Sequence, residues 1–126
     1  MIKKYLLLGL APLWLTACAS STLTNLTPSQ LPRNEKGMYP VEASFDTQQR
    51  TLKEASLAPQ VVADPDVYPM RRVLNSNNRW EAMVPISSGK KELTYHFKVD
   101  YDTMGFNKVT KDSLESQEYK LYILDK

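Results

Sequence analysis

The residues of this chain that could support catalysis or metal binding are one histidine and two pairs of aspartates. His96 is the only histidine, and no Cys stands near it in the sequence to complete a metal site or to act as a nucleophile. Asp64 and Asp66 flank a proline, while Asp100 and Asp102 share one face of a predicted strand. Calcium needs about six or more oxygen ligands, and neither pair comes with a third ligand or a Gly-rich loop. We therefore predict no catalytic residue, no metal and no cofactor.

The one cysteine, Cys18, follows a segment typical of a secretory signal peptide. The chain begins with two lysines, continues with the uncharged run YLLLGLAPLW (5–14), and reaches small residues just before the cysteine. This run is shorter than the roughly 20 residues that cross a bilayer, and Pro12 lies inside it. A single cysteine also cannot supply the disulfides on which many small secreted domains depend.

The four residues Leu15-Thr16-Ala17-Cys18 resemble the bacterial lipobox, an aliphatic residue, a small one, Gly or Ala, then Cys. The resemblance implies that the Cys18 thiol is joined to diacylglycerol and that signal peptidase II cleaves between Ala17 and Cys18. It also implies acylation of the new amino terminus, as with palmitate. The alternative is an unmodified cysteine in an ordinary secretory signal. Two or more acyl chains anchor a protein lastingly to a membrane.

The destination of the predicted lipoprotein is suggested by the residues that follow the cysteine. In lipoproteins of Gram-negative bacteria, Asp at that position favours retention at the inner membrane. Ala19 and Ser20 are neutral, so the resemblance implies the outer membrane in preference to the inner membrane. We expect the lipid on Cys18 to hold the chain on the membrane surface of the cell envelope without spanning it.

Charge and composition divide the remaining chain into a tether and a single domain. The whole chain has 16 basic and 14 acidic side chains, and the basic excess disappears when the predicted signal peptide, residues 1–17, is removed. The mature chain therefore shows no nucleic-acid footprint. Residues 18–32 are uncharged and rich in Ser, Thr and Pro up to Pro32, which predicts a lipid anchor and flexible tether. Residues 33–126 have the length of one domain.

Alternation of apolar and polar residues predicts β-strands in this domain. The clearest case is ELTYHFKVDYD (92–102), and MYPVEASFD (38–46), RWEAMVPI (79–86) and EYKLYIL (118–124) alternate as well. One face of each strand is therefore expected to lie in the core, including Phe97 and Trp80, while His96 is expected on the solvated face.

Turn residues separate these strands and suggest how they connect. Asp64-Pro65-Asp66 predicts a type I turn that joins 57–63 to 67–74 as a hairpin, and Ser87-Ser88-Gly89-Lys90 predicts a second hairpin. With a first edge strand near 25–31, the count is about seven short strands. This pattern predicts an all-β fold, a single Ig-like antiparallel β-sandwich.

A resemblance to a known class of modules agrees with that fold. The stretch YPMRRVLNSNNRWEAMVPISSGKKELTYHFKVDYD (68–102) is similar to early-set Ig-like modules that accompany starch- and glycogen-acting enzymes. In those modules a strand carrying Trp is followed by a turn and a YxFxVD strand. The resemblance implies the sandwich, and it implies glycan binding as an alternative function.

Three residues are predicted to contact a protein partner. Met104 and Phe106 lie in TMGFNKVTKDSLES (103–116), interpreted as a long loop. Tyr122 belongs to a strand that is apolar on both faces, which indicates either an exposed patch or a face covered by another segment. The alternative for Phe106 is that it folds back and plugs one end of the sandwich. We predict a non-catalytic envelope lipoprotein that serves as a protein-interaction or structural module, with a glycan-binding module as the alternative.

Overall fold

The structure, a computed structural model, describes residues 16–18, 21–48 and 51–125. The signal-peptide prediction falls on residues 1–15, outside the described residues, and on Thr16 and Ala17. The strands are β1 Thr16–Cys18, β2 Ser21–Asn25, β3 Gln30–Pro32, β4 Met38–Thr47, β5 Ala58–Ala63, β6 Asp66–Pro69, β7 Arg71–Arg72, β8 Arg79–Pro85, β9 Glu92–Gly105, β10 Lys108–Glu115 and β11 Tyr119–Leu124. A 3-10 helix, Glu54–Ser56, precedes β5. Within the described ranges, no helix has the length and apolarity needed to cross a bilayer.

Two sheets pack face to face, as predicted. The first has the order β1-β2-β4-β8-β7, and the second has the order β3-β11-β9-β5-β6, with β10 added to β9. The order β2-β4-β8-β7 opposite β11-β9-β5 is the A-B-E-D and G-F-C arrangement of the Ig fold. The described residues form more strands than the seven predicted, and β3 pairs with β11 in parallel, so the sandwich is not purely antiparallel.

The core lies between the sheets and consists of the residues that alternation selects. The five alternating apolar positions of β9 from Leu93 to Tyr101 are buried, and Phe97 and Val99 are 1% and 0% exposed. The inward faces of β4, β8 and β11 contribute Tyr39, Val41, Ala43, Phe45, Trp80, Ala82, Val84, Leu121 and Ile123. The prediction of half-buried strands over these segments is confirmed.

Contacts between the sheets show which strand ends meet. The rings of Phe45 in β4 and Tyr101 in β9 lie 6.4 Å apart, and Nδ2 of Asn25 donates to the Tyr95 hydroxyl at 3.0 Å. The start of β2 and the last residues of β9 therefore lie at one end of the sandwich, which we call the Ser21 end. The start of β9 and the last residues of β11 lie at the other, which we call the Asp125 end.

The tether prediction is wrong for residues 21–32. These residues form β2 and β3, and Leu23 is 2% exposed within the core. Leu23 pairs with Phe45 across the first sheet, which places it among the apolar residues that the two sheets enclose. Only Ala19 and Ser20 separate Cys18 from the first residue of β2.

Two turn predictions also need correction. The hairpin joining β5 and β6 is present, but Ala63 pairs with Asp66, so Pro65 stands at the third position of the turn, where type I turns disfavour proline. Ser87–Lys90 does not close a hairpin, because β8 and β9 belong to different sheets. It carries the chain from one sheet to the other.

Candidate functional surfaces

His96 is less exposed than the sequence suggests, and its environment is that of a structural side chain. It lies on the outer face of β9, where 19% of its side chain is exposed and Nε2 is 3.4 Å from Oε1 of Glu115. The Glu115 side chain is 58% exposed, and a pair that is open to water on one side contributes little to stability. No group of three or more His, Cys, Asp or Glu in the described part of the chain could hold a metal.

Replacing His96 tests this interpretation. We expect His96→Ala to change the free energy of unfolding by less than about 1 kcal/mol, because the change removes one partly exposed contact with Glu115. Chemical denaturation of the two proteins measures this difference. A loss several times larger would show that His96 is an essential packing residue.

The paired aspartates of β9 border an open groove, and other side chains contact their carboxylates. Oδ1 of Asp102 is 3.7 Å from Nζ of Lys111. Asp100 accepts a hydrogen bond from Nε2 of Gln60 at 3.3 Å and lies 3.8 Å from Nζ of Lys98. The groove also touches Ser56 and Ser113. With lysine partners and no enclosing walls, these carboxylates form a solvated polar surface.

The buried aromatic residues serve the core. Trp80 is 9% exposed, as predicted, and the guanidinium of Arg72 covers its ring at 4.4 Å. Burial raises the pKa of the Tyr95 hydroxyl, although its hydrogen bonds with Thr27 and Asn25 oppose the shift. Both rings are buried in the core, so neither can stack on a sugar.

The predicted processing site lies at the Ser21 end. The backbone of Thr16–Cys18 pairs antiparallel with β2, with Cys18 opposite Ser21. Cleavage between Ala17 and Cys18 would remove the first two residues of β1. The lipidated residue would then be separated from a buried strand by two residues.

The segment predicted as a loop over 103–116 is instead a β-hairpin that projects beyond the sandwich. Strands β9 and β10 pair from Lys98 and Glu115 to Gly105 and Lys108. The two-residue turn consists of Phe106 and Asn107, and Asn107 has φ 68°, a conformation that asparagine tolerates better than most residues. Every residue from 104 to 113 is exposed.

The exposed apolar side chains of this hairpin cluster at its tip. Phe106 is 94% exposed, Met104 is 47% exposed, and Val109, directly opposite Met104, is 46% exposed. The alternative that Phe106 plugs the sandwich is wrong, because its ring is almost fully in solvent. We call residues 104–109 the hairpin tip.

A second exposed apolar surface lies at the Asp125 end. Tyr122 and Leu124 project from the outer face of β11 and are 42% and 46% exposed. Leu124 pairs with Pro32 of β3, while Tyr122 pairs with Gln30 of β3 on one side and with Glu92 of β9 on the other. We call the three apolar residues Tyr122, Leu124 and Pro32 the β11 patch.

Two ion pairs border the β11 patch. Nζ of Lys120 lies 3.7 Å from Oε2 of Glu92. Arg33 donates to Asp125, and this hydrogen bond lowers the pKa of the Asp125 carboxyl. An apolar centre with a charged border is the usual composition of a protein-binding surface.

The three predicted contact residues therefore do not form one site. Tyr122 lies opposite Glu92, and Glu92 and Met104 are about 40 Å apart along an extended strand. Sequence reasoning missed Val109, although it stands only three residues from the predicted contact Phe106. Comparison with protein-family models, curated proteins and solved structures gives no match to this chain.

Proposed function

We propose that this protein is a lipid-anchored module of the bacterial envelope that binds another protein through the β11 patch and catalyses no reaction. The lipobox at Leu15–Cys18 supports the anchor and, through the neutral residues after it, the outer membrane. The composition of the β11 patch supports the binding role, and it is the observation that carries the proposal. Tyr122 and Leu124 remain exposed although both neighbouring strands are in place.

The location of the β11 patch suits a partner in the aqueous space of the envelope. It lies at the end of the sandwich opposite Cys18, so a lipid anchor there leaves the patch facing away from the membrane. Tyrosine combines a large apolar surface with a polar tip, which makes it frequent in protein interfaces. Lys120 and Arg33 on the border, each with its acidic partner, provide polar contacts around that centre.

A glycan-binding role finds less support from these side chains. A sugar-binding surface of the kind expected from the early-set resemblance would present exposed aromatic rings close together. Trp80 is buried, and the rings of Phe106 and Tyr122, both exposed, lie at opposite ends of the sandwich. We therefore do not advance this alternative further.

Removing the apolar groups of the β11 patch tests the proposal. We expect a Tyr122→Ser, Leu124→Ser variant to lose the partner that crosslinks to the wild-type protein in intact cells, because hot-spot residues of this kind carry most of the binding energy. Its melting temperature should fall only slightly, since both side chains are largely exposed. Crosslinking in cells and thermal denaturation of the purified protein give the two measurements.

Met83→Ser is the matched control. Met83 is 46% exposed on the outer face of the other sheet, so its replacement removes exposed apolar area elsewhere and should leave the crosslinks unchanged. If the β11 patch variant keeps every wild-type crosslink at equal abundance, the patch is not the binding surface.

A further inference from the structure

We propose that the hairpin tip, residues 104–109, is a second membrane contact that inserts into the same bilayer as the lipid on Cys18. This inference rests on the lipid anchor proposed above. It assigns the exposed Met104, Phe106 and Val109 to a lipid surface, and it fixes the orientation of the sandwich on that surface.

The first step is that Cys18 and the hairpin tip lie at one end of the molecule. Cys18 is opposite Ser21 in the pairing of β1 with β2. Ser21 stands two residues before Leu23, which pairs with Phe45, and the Phe45 ring contacts Tyr101 of β9. From Tyr101, β9 continues in the same direction to the hairpin tip.

The second step compares how far each element reaches. Thr103, two residues beyond Tyr101 on β9, is level with Ser21. The turn at Phe106 is three residues further along the strand, a distance of about 10 Å. Cys18 precedes Ser21 by three residues, which also span at most about 10 Å. The hairpin tip is therefore at least level with the residue that carries the lipid.

This reach matches the depth of an interfacial segment. Apolar faces of membrane-surface segments lie about 5–10 Å into the boundary between headgroups and acyl chains. With Cys18 held at the headgroups by its own acyl chains, the described geometry places Phe106 within that boundary. Only Ala19 and Ser20 separate Cys18 from β2, so no long tether would let the domain move away from the membrane.

The composition of the hairpin tip suits a bilayer. Residues 104–109 contain three exposed apolar side chains, one lysine and no acidic residue. Aromatic rings favour the interface, and Lys108 beside the turn can contact lipid phosphates, which attract basic side chains near a membrane surface. Because the acyl anchor makes the contact intramolecular, even a small apolar insertion is favoured by a high effective concentration.

Tryptophan fluorescence in vesicles tests the contact. The full-length protein is expressed, processed and purified with its lipid, then reconstituted into phosphatidylethanolamine and phosphatidylglycerol vesicles with or without brominated acyl chains. Phe106→Trp should show blue-shifted emission that the bromines quench. Val109→Trp should be quenched less, and Ser113→Trp, nearer the sandwich, should not be quenched.

Tyr122→Trp is the matched control, since position 122 is exposed at the opposite end and should show no quenching. Trp80 is present in every variant and is buried, so differences between variants report the added residue. Equal quenching at 106 and 122, or none at 106 in a protein that floats with the vesicles, would overturn the inference while leaving the lipid anchor intact. A protein that carries no lipid and does not float would instead refute the anchor, and this inference with it.

Discussion

Phe97→Ala is expected to lower the free energy of unfolding of the domain by about 3–5 kcal/mol, the range for removing a buried aromatic ring. Phe97 is 1% exposed, and its ring lies 5.6 Å from the ring of Tyr95 and 5.9 Å from that of Tyr119. Its loss would leave a cavity in the core between the two sheets that the Tyr95 and Tyr119 rings cannot fill without leaving their own positions. Chemical denaturation of residues 19–126, followed by circular dichroism, measures the change.

Lys98→Ala provides the control for that experiment. Lys98 is the next residue of the same strand, points to the outer face and has a side chain that is 37% exposed. Its replacement should alter stability by no more than about 0.5 kcal/mol. If the two variants lost similar free energy, the assignment of faces along β9 would be wrong. A helical far-UV spectrum of the unmodified domain would contradict the β-sandwich itself.

The sequence predicted the parts of the fold in which a strand has one buried face. In β9, large apolar residues occupy every second position from Leu93 to Tyr101, and all of these are buried. Such a pattern reports directly on burial because neighbouring side chains of a strand point to opposite faces. The same signal correctly placed Trp80 in the core.

The residues predicted to form a tether show only a weak sequence signal of burial. In β2 the two buried positions are Ser21 and Leu23, so only one of them is apolar. Ser and Thr are abundant in flexible linkers, yet Thr also suits a strand. Composition alone could not distinguish these states, and the pairing of β2 with β4, distant in sequence, decides between them.

The hairpin tip was missed as secondary structure for a related reason. A hairpin that projects from the sandwich has no buried face, so the alternation that marks other strands is absent from residues 104–113. Gly105 and Asn107 instead flank and form a tight turn between paired strands. The prediction that Met104 and Phe106 are exposed contacts depended on residue type rather than conformation, and the identity of what they contact stays a prediction.

The candidate contact set failed as a single site because sequence gives no distance between strands. Tyr122 follows Met104 by 18 residues along the chain, but the chain reverses at Asn107 and runs back along β9 to the other end. The resulting separation gives the two surfaces different surroundings. The hairpin tip lies at the same end as Cys18, and the β11 patch lies at the opposite end.

Cys18→Ser is expected to abolish lipid attachment and to leave an unprocessed precursor. The thioether requires the thiol of Cys18, and no other cysteine in the chain could replace it. Cells grown with a palmitate analogue should label the wild-type protein and leave the variant unlabelled, while the variant should migrate at the larger mass of the uncleaved chain. Equal labelling of the two proteins would refute the anchor.

The matched control for this experiment is Ser20→Ala, two residues away and outside the lipobox, which should be labelled and cleaved like the wild type.

The lipid and the hairpin tip should contribute unequally to membrane binding. A hairpin tip of three apolar side chains adds only a modest apolar area, whereas each buried methylene of an acyl chain contributes about 0.8 kcal/mol. We therefore expect the hairpin tip to orient the domain but not to hold it: a chain that starts at Ala19, made without signal peptide or lipid, should remain in the supernatant when vesicles are sedimented. If that chain sedimented with the vesicles as completely as the lipidated protein, the lipid would not be the principal anchor.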